Sequence, residues 1–408
     1  MSDLSRFFVP SRKLAAYRLK NGGHRIYDPR ERVGLELFDL LLRGASKVFP
    51  LRPTQEGQHA VDIERVLCLR LDRLGDLLTT LPALRALRRV ASNARIELAV
   101  GSWNEPIAKR LPFVDAIRIV DTPWSSWEKR ASLHKAYSAL QSTSPDLAID
   151  FQGDLRVILL MAMMRPVFRA GYGETGGSYL LTHRVRWDES KSWYWQNYEA
   201  VKTIYPDVQE DFQPFNFVNE EDRVRARALL DRDMDQQGRP IVGLHPSAGR
   251  RLKQWEASKF AALVDRLSNK MTVIVTGESV DRPLIESILT KVRSKPKVIM
   301  GVSLTTFAAV VEKFDVFVSG DTGPMHLSHA VGTPNVAIFG PSDPVRYGPS
   351  DPQTVRRVVR TPLYCSPCNM IRRPPRECAV KLTPDCITGV SFEQVLFAIN
   401  DVLRKVET

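Results

Sequence analysis

The sequence contains no apolar run long enough to cross a bilayer, which takes about 20 predominantly apolar residues. The longest apolar stretch of interest, Val157 to Met164, ends at Arg165 and is typical of a buried helix. The first residues also lack the basic start, apolar core and small-residue cleavage site of a secretory signal. These absences argue against a membrane-spanning or exported protein, and we expect the chain to be cytoplasmic.

Cysteine is scarce, with five residues in the chain. Cys68 lies inside an apolar strand pattern, which predicts a place in the core. The others form a C-terminal group, Cys365-x2-Cys368-x9-Cys378-x7-Cys386. A reducing compartment argues against a disulfide framework. The spacing is compatible with a structural zinc or iron–sulfur site, with free buried thiols or with a local disulfide, and all three interpretations stay open.

Acidic residues are outnumbered, with 58 Lys and Arg against 46 Asp and Glu, a formal net charge of +12 and a pI of about 9.5. Such a balance favours an anionic partner: nucleic acid, a membrane face or a phosphorylated substrate. A basic surface without a partner is the alternative. We expect no nucleic acid, because neither aromatic stacking platforms nor a recognised nucleic-acid module is evident. The 43% of hydrophobic residues is ordinary for a globular protein.

A length of 408 residues predicts two domains, or three at most. Residues 1–62 look like an extension, in which basic side chains alternate with apolar and aromatic ones and Leu35 to Leu42 has helical spacing. One interpretation is a basic amphipathic segment that touches an anionic membrane. The other is a helix packed on the main body or a partly ordered tail.

Residues 63–215 predict an α/β domain. An opening strand at Val66–Leu71 is followed by a Gly75-Asp76 turn and a helical pattern, which Pro82 should kink or delay. Alternating strands and helices predict a parallel sheet covered on both faces. The further predicted strands are Ile96–Val100, Ala116–Val120 and Leu147–Phe151.

A second α/β domain is predicted for residues 216–408, after a polar stretch from Asn219 to Arg239. Helices are predicted at Ala257–Leu267 and Asp281–Lys291. Because open α/β sheets bind ligands at the carboxyl ends of their strands, the cleft between the two domains is the predicted active site. The predicted strands are Ile241–Leu244, Thr272–Thr276, Lys297–Met300, Val316–Ser319 and Asn335–Phe339.

Two loops of the second half have small residues that would let an anion approach the backbone. His245-Pro-Ser-Ala-Gly249 follows the first strand, and Lys253 comes shortly after it. Thr276-Gly277-Glu278 ends the next strand, before Asp281. This carboxylate is either a ligand of ribose hydroxyls or a helix N-cap, and by itself the cap is favoured.

The sharpest local signal is Ser319-Gly-Asp321-Thr-Gly323-Pro-Met-His326. A strand ends in Asp-Thr-Gly, and Pro324 occupies a position that the first turn of a helix tolerates. The helix dipole and the backbone N–H groups would then face the cleft, which predicts a diphosphate site. We interpret His326 as a further phosphate contact, the alternative being a structural histidine. Phe339-Gly-Pro-Ser-Asp343 repeats the pattern at the next strand.

Asp76 is a candidate general base. Its place near a helix N-terminus favours the ionised carboxylate, which a base for a sugar hydroxyl requires. The alternative is a plain N-cap. Metal-dependent transferases often carry Asp-x-Asp at a strand end, but Asp231-Arg-Asp233 lies in the charged linker and is typical of a solvated helix face.

Taken together, the motifs resemble glycosyltransferase family 9, the ADP-heptose:lipopolysaccharide heptosyltransferases. Each motif is weak by itself, but they occur in order and at the right spacing between about residues 63 and 398. The motifs are Arg70–Leu87, Asp146–Gly153, His245-Pro-Ser-Ala with Lys253 and Trp255, Asp321–His326, and Gly332-Thr-Pro with Phe339-Gly-Pro341.

The resemblance implies a GT-B fold, two facing Rossmann-like domains with the acceptor on the first and the nucleotide sugar on the second. It gives Asp76 the role of general base and Lys253 that of a phosphate ligand, with no catalytic metal and no cofactor. Acceptor contacts would come from Arg70, Arg73 and Gln152. Donor contacts would come from Ser247, Ala248, Gly277, Glu278, Asp281, Asp321, Thr322, Gly323 and His326.

The expected function is inverting transfer of a heptose or related sugar, with ADP-heptose the expected donor, to a lipopolysaccharide core acceptor at the inner membrane. Its partners would be the nucleotide sugar and the lipid-linked acceptor. Two alternatives belong to other classes: a nucleotide-sugar epimerase or hydrolase on the same fold, and a basic protein that binds anionic lipid or nucleic acid without catalysis.

Overall fold

The computed structural model describes residues 29–48, 63–124, 130–230, 238–348, 355–367, 378 and 384–406. The first sheet has six parallel strands in the order β3-β2-β1-β4-β5-β6. Val66 pairs with Ile96 on one side and Leu147 on the other, which makes β1 central. The strands are β1 Arg65–Arg70, β2 Arg95–Val100, β3 Ala116–Ile119, β4 Leu147–Asp150, β5 Phe168–Gly171 and β6 His183–Arg184.

Helices cover both faces of this sheet, which explains why the residues of β1 from Val66 onward are all buried. One hydrophobic core contains Leu77 and Leu84, and the other, on the opposite face, contains Val157 and Met161. The helices are α1 Pro29–Val48, α2 Leu74–Val90, α3 Glu105–Ala108, α4 Leu133–Leu140, α5 Leu155–Met163 and α6 Trp193–Lys202.

The second sheet also has six parallel strands, in the order β12-β11-β10-β7-β8-β9. The C-terminal helix α14, Phe392–Val406, packs into its core through apolar side chains that include Ile399 and Val402. The strands are β7 Ile241–His245, β8 Thr272–Gly277, β9 Lys297–Met300, β10 Val316–Gly320, β11 Asn335–Phe339 and β12 Arg356–Arg360. The helices are α7 Glu220–Leu230, α8 Ala257–Ser268, α9 Arg282–Leu289, α10 Leu304–Val311, α11 Gly323–Ala330, α12 Pro344–Tyr347, α13 Asp385–Thr388 and α14 Phe392–Val406.

Both sheets have the strand order of a doubly wound nucleotide-binding domain, 3-2-1-4-5-6 when each half is counted from its own first strand. In such a sheet the chain adds strands first on one side of the first strand and then on the other. The switch lies between β1 and β4 in the first sheet and between β7 and β10 in the second. Loops diverge at a switch point and leave a crevice at the carboxyl ends of the strands. The fold thus gives each half one crevice.

All nine predicted strands are present, and so are the buried helix near Val157 and the buried core position of Cys68. The sequence missed three edge or near-edge strands, β5, β6 and β12. Strand β6 has only two residues, while charged side chains interrupt the apolar pattern of β5 and β12. No helix in the part of the chain that the structure describes combines the length and the hydropathy of a membrane span.

Two details of the first half differ from expectation. Helix α2 begins at Leu74, so Gly75 and Asp76 form its first turn rather than a separate turn before it. Pro82 does not delay the helix, because it lies in its middle and the helix continues to Val90. Tertiary packing explains this tolerance, since Pro82 and its neighbours are buried between the sheet and the rest of the core. Asp231-Arg-Asp233 lies outside the described residues.

Asp222 on α7 joins the two halves. Its buried carboxylate accepts a hydrogen bond from Arg110 of the first half and from the Thr305 and Thr306 hydroxyls at the start of α10. Burial raises the pKa of Asp222, but these hydrogen bonds and the charge of Arg110 outweigh burial and lower the pKa below its usual value. Ionised Asp222 therefore stabilises the contact between the halves.

We expect Asp222→Asn to destabilise the protein at neutral pH by about 2–3 kcal/mol, the scale of hydrogen bonds to a charged group. A carboxyl with a lowered folded-state pKa stabilises the fold above its unfolded-state value, near 4, and this stabilisation disappears as the pH falls. Urea unfolding at several pH values measures both effects. The variant should approach the wild type in acid, and a constant difference down to pH 3 would contradict this role for the charge.

Candidate active site

The carboxylate of Asp76 is held at the N-terminus of α2. Its Oδ2 accepts the backbone N–H of Arg73 at 3.2 Å, while its own carbonyl accepts the hydroxyls of Thr79 and Thr80 at 2.8 and 2.9 Å. The side chain is partly exposed. The helix N-terminus carries partial positive charge, which attracts a negatively charged side chain. The arrangement leaves a fixed, solvent-accessible carboxylate at the crevice of the first sheet.

Arg70 lies beneath this carboxylate at the end of β1 and is fully buried. It donates to the carbonyl of Phe151, and its Nε lies 3.1 Å from Asp72 Oδ1 and its Nη2 3.7 Å from Asp76 Oδ1. Its guanidinium also packs on the ring of Trp193 at 5.2 Å. The sequence predicted an acceptor contact for Arg70. In the structure the guanidinium lies against these carboxylates, the Phe151 carbonyl and the Trp193 ring, which suits it to positioning the carboxylates; its contact with an acceptor stays a prediction.

Asp72 is a second acid beside Asp76. Burial is the largest influence on its pKa and raises it well above the usual value; the charges of Asp76 and Asp150 raise it further and that of Arg70 opposes them. Several carboxylates therefore share one buried guanidinium. Since like charges at close range cannot all ionise readily, Asp72 retains its proton more strongly than an ordinary carboxyl. A proton on Asp72 weakens the repulsion between Asp72 and Asp76.

Helix α11 of the second half meets α2 directly. A Cβ added to Gly75 would lie 2.8 Å from His326 Cδ2 and 3.7 Å from the Cα of Gly323, which begins α11. His326 is buried, and its Nδ1 lies 3.0 Å from the hydroxyl of Tyr194 in the first half. Burial lowers the pKa of His326. A neutral imidazole can exchange hydrogen bonds here but brings no positive charge to a phosphate.

Lys253 and Asp321 form an ion pair at the crevice of the second sheet. Burial raises the pKa of Asp321, but the charge and the hydrogen bond of Lys253, together with the hydrogen bond of the Ser342 hydroxyl, outweigh it, so the pKa is lowered. Lys253 remains partly exposed, and its Nζ lies 5.9 Å from the centre of the Tyr347 ring. The ammonium is thus held in place and can still reach a ligand in the cleft. Thr322 connects Asp321 to α11.

The remaining predicted donor residues lie together at the ends of β7 and β8. Ser247 donates to Asp281 Oδ1, and the backbone N–H of Glu278 donates to Asp281 Oδ2 at 2.9 Å. Both oxygens of Asp281 therefore have partners within the loops, which favours the capping interpretation of this residue. The side chain of Glu278 is exposed, Ala248 is partly exposed, and Gly277 lies against Ile285 and Asp281.

His245, the last residue of β7, lies beneath these loops. Its Nδ1 lies 3.1 Å from the hydroxyl of Thr276, and burial lowers its pKa to about 4 despite the charge of Asp281. Its ring also packs near Phe307 and Phe317. His245 is therefore a neutral residue of the core that fixes the β7 and β8 loops.

The other predicted acceptor residues lie at the edge of the first sheet. Gln152 follows β4, and its backbone N–H donates to Asp150 Oδ1 at 2.9 Å. Its Oε1 is buried and has no hydrogen-bond partner among the described residues. A buried acceptor without a donor is costly, and a ligand that supplies one would relieve the cost. Arg73 is exposed beside Asp76.

Sequence reasoning missed a cationic and aromatic group at the same cleft. Arg346 on α12 is buried and packs over Trp187 at 4.5 Å, Trp193 at 5.3 Å and Tyr347 at 5.4 Å. This contact carries a guanidinium of the second half onto aromatic rings of the first. The sequence contains a partial indication of this group, because Arg346 follows the Phe339–Asp343 loop, which repeats the pattern of a strand followed by a tight loop.

Arg250 adds another cation to this side. Burial lowers its pKa to about 10, and the positive charge of Arg73 contributes, while Tyr347 and Asp321 oppose the shift. A pKa lowered by a like charge means that Arg73 of the first half and Arg250 of the second repel each other across the cleft. An anion between them would remove this repulsion.

The C-terminal cysteines do not form a recognisable metal centre in the part that the structure describes. Cys386 is buried, Cys365 and Cys378 are partly buried, and Cys368 lies outside the described residues. Among the described residues, no three or more His, Cys, Asp or Glu side chains are grouped closely enough to hold a metal. A structural site that includes Cys368 stays a prediction.

Two doubly wound sheets whose carboxyl edges meet at one cleft define the GT-B architecture of glycosyltransferases, as expected from the sequence. Comparison with known proteins gives the family. Residues 133–377 match glycosyltransferase family 9 (heptosyltransferase). The chain belongs to this family and is a glycosyltransferase.

Curated relatives and solved structures agree with this membership. Lipooligosaccharide heptosyltransferase 2 of Campylobacter jejuni is 24% identical over 337 residues, which are 81% of this chain and 96% of that protein. A family 9 glycosyl transferase from Veillonella parvula superposes with a TM-score of 0.69 at 21% identity, over 84% of this chain and 98% of that one. The ADP-heptose lipopolysaccharide heptosyltransferase II of Escherichia coli gives a TM-score of 0.62 at 18% identity, over 84% and 100%.

We expect Gly75→Ala to weaken the contact between α2 and α11. Alanine favours a helix over glycine by about 0.5–1 kcal/mol, but the 2.8 Å approach to His326 introduces overpacking of about 1–3 kcal/mol. The overpacking should dominate, so the melting temperature should fall. Thermal unfolding measures the change. Gly44→Ala is the control, because an added Cβ there meets no atom of the described residues within 4 Å; equal behaviour of the two variants would contradict the steric argument.

Proposed function

We propose that this enzyme transfers a heptose from ADP-heptose to the core of a lipopolysaccharide precursor, with inversion at the anomeric carbon and without a catalytic metal. The observation that carries the proposal is the meeting of two helix N-termini in one cleft, one holding the carboxylate of Asp76 and the other beginning at Gly323 beside the Lys253–Asp321 pair. The names of the relatives, which include an ADP-heptose enzyme, support the choice of donor and acceptor.

The chemistry is a single in-line displacement. Asp76 accepts the proton of the acceptor hydroxyl while that oxygen attacks the anomeric carbon from the side opposite the nucleotide. The bond from the anomeric carbon to the diphosphate oxygen breaks, and the ADP anion departs. Inversion follows because there is only one displacement. A base of this kind contributes typically 10²–10⁴-fold to the rate.

Charge in the second half suits a departing diphosphate. Lys253 is already oriented by Asp321, and the N-terminus of α11 adds partial positive charge and backbone donors. Arg250 and Arg346 lie on the same side of the cleft. These cations supply the electrostatic stabilisation for which other transferases use a divalent metal.

The buried network under Asp76 holds the base in place. Arg70 fixes the carboxylate from below, and burial raises the pKa of the neighbouring Asp72. The acceptor hydroxyl would enter from the side of Gln152, whose buried Oε1 needs a donor. We propose that this acceptor is presented at the cytoplasmic face of the inner membrane, where the enzyme acts as a peripheral protein.

The test is nucleotide release that requires both substrates. Purified protein in EDTA is given ADP-heptose or other nucleotide sugars, each with and without truncated lipopolysaccharide acceptors. ADP release that needs ADP-heptose and one acceptor is the expected result. Turnover of donor without acceptor would replace the proposal with an epimerase or hydrolase, and activity that EDTA abolishes would overturn metal independence.

Asp76→Asn should lower kcat by roughly 10²–10⁴-fold, because the amide keeps the shape of the side chain and loses the base. The affinity for ADP should change little. Steady-state kinetics with varied donor separates the two effects. Asp146→Asn is the matched control: Asp146 also accepts backbone N–H groups, of Glu64 and Arg65, but at the opposite edge of the sheet. A wild-type kcat in Asp76→Asn would remove the general base from the mechanism.

Lys253→Ala should lower kcat/KM for the donor by roughly 10²–10³-fold, the scale for losing one group that stabilises developing charge. It also leaves the buried Asp321 without its cation. Lys259→Ala is the control, since Lys259 is equally exposed but donates to the carbonyls of Thr388 and Val390. Similar kinetic losses in the two variants would mean that Lys253 acts only through stability.

A further inference from the structure

Helix α1 is attached to the main body by one narrow face. Leu35 is buried against Leu155, with Leu42 packed beside them. Asp39 is buried as well, and its carboxylate accepts the backbone N–H of Gly177 at 2.6 Å. A Cβ at Gly176 would lie 2.8 Å from the same carboxylate. The helix is therefore seated on the first half at a defined register.

The opposite face of α1 is apolar and exposed. Residues 33, 37, 40 and 41 have the i, i+4, i+7, i+8 spacing of a single helix face. A soluble helix seated in this way would carry polar side chains there. The exposed fractions are 49% for Val33, 58% for Leu37, 66% for Leu40 and 73% for Leu41.

The seat of α1 adjoins the crevice of the first sheet. Gly176 and Gly177 belong to the loop after β5. In this loop the hydroxyl of Thr175 accepts the N–H of Leu155 and donates to the carbonyl of Gly153, both at 2.9 Å. Gly153 directly follows Gln152, a predicted acceptor residue. The seat of α1 thus lies close to Gln152 at the crevice of the first sheet.

The sequence before α1 is positively charged. Between Leu4 and Tyr27 it has no Asp or Glu, and aromatic and aliphatic residues alternate with the basic ones. Basic residues beside an apolar helix face are the composition of a segment that lies in the interface of an anionic membrane. The basic residues are Arg6, Arg12, Lys13, Arg18, Lys20 and Arg25.

We infer that α1 docks this enzyme on an anionic lipid bilayer through the face formed by Val33, Leu37, Leu40 and Leu41, which sets the first-half crevice at the membrane surface. A helix in this position would enter only the interface, with its apolar face roughly 5–10 Å deep and its axis in the membrane plane. The inference rests on the proposed function in one respect, namely that the acceptor is linked to a lipid. Docking itself is independent of which sugar is transferred.

Vesicle cosedimentation tests the docking. The full chain should bind vesicles of phosphatidylethanolamine and phosphatidylglycerol, bind phosphatidylcholine vesicles weakly, and lose binding as salt increases. Leu37→Ser/Leu41→Ser should reduce binding to the anionic vesicles by roughly tenfold or more, because both side chains would lose their burial in the bilayer. The matched control is Val224→Ser/Phe397→Ser, which changes residues of similar exposure, 52% and 68%, on the second half. It should bind as the wild type does.

Activity separates this inference from the proposed function. The Leu37→Ser/Leu41→Ser variant should lose transfer to an acceptor embedded in vesicles and retain transfer to a delipidated, water-soluble core oligosaccharide. Failure of all transfer in the wild type would overturn the proposed function and leave the vesicle result standing. Equal vesicle binding by variant and wild type would overturn the docking.

Two other occupants of the face are distinguished by the same variant. The double substitution should leave the melting temperature and the solution mass unchanged, because the replaced side chains are exposed. A dimeric wild type that the variant dissociates would assign the face to a second copy of the chain. A clearly lowered melting temperature would assign it to a segment of the chain itself. Either result would overturn membrane docking.

Discussion

The close approach of two helix N-termini organises this molecule. Helix α2 begins at Leu74 in the first half and α11 at Gly323 in the second, and glycines let the two ends approach closely: a Cβ added to Gly75 would lie 3.7 Å from the Cα of Gly323. Both ends carry partial positive charge, so the contact repels itself unless anions are present. One anion is the fixed carboxylate of Asp76, and the proposed donor diphosphate is the other. The contact that joins the halves thus also favours the binding of an anionic substrate.

Burying the charged groups under the cleft opposes folding, and the protein tolerates this cost only because the groups pair with one another. Arg70 is completely buried and lies beside Asp72 and Asp76, and Asp321 is buried against Lys253. Removing water from such groups costs several kcal/mol per ion unless partners compensate. The compensation is incomplete, since Arg70 and Asp72 retain buried atoms that form no hydrogen bond within the described part of the chain. Active sites commonly tolerate such destabilisation, because the charged groups are then positioned to interact with a substrate.

The sequence allowed two interpretations of the N-terminal extension, a helix packed on the main body and a segment that touches an anionic membrane; the structure bears on the first, and the second stays a proposal. Helix α1 does pack on the main body, through Leu35 and Asp39, yet its outward face is the apolar one. A helix with helical hydrophobic spacing was predictable from Leu35 to Leu42. The orientation of the helix was not predictable, because its apolar residues lie on more than one side. The inward face is selected by neighbours that are distant in the sequence, Leu155 and the Gly176–Gly177 loop.

The sequence by itself determined the alternation of strands and helices, the two halves and the loops that carry the site, because buried parallel strands need apolar runs and tight loops need small residues at fixed places. It also located Asp76, Lys253 and the Asp321–His326 segment. Only the tertiary structure decided what those side chains touch. The pKa of Asp72, the burial of Arg70 and the reach of Arg346 onto Trp187 depend on groups far apart in the chain. Burial and electrostatic coupling act through space, and sequence distance does not encode them.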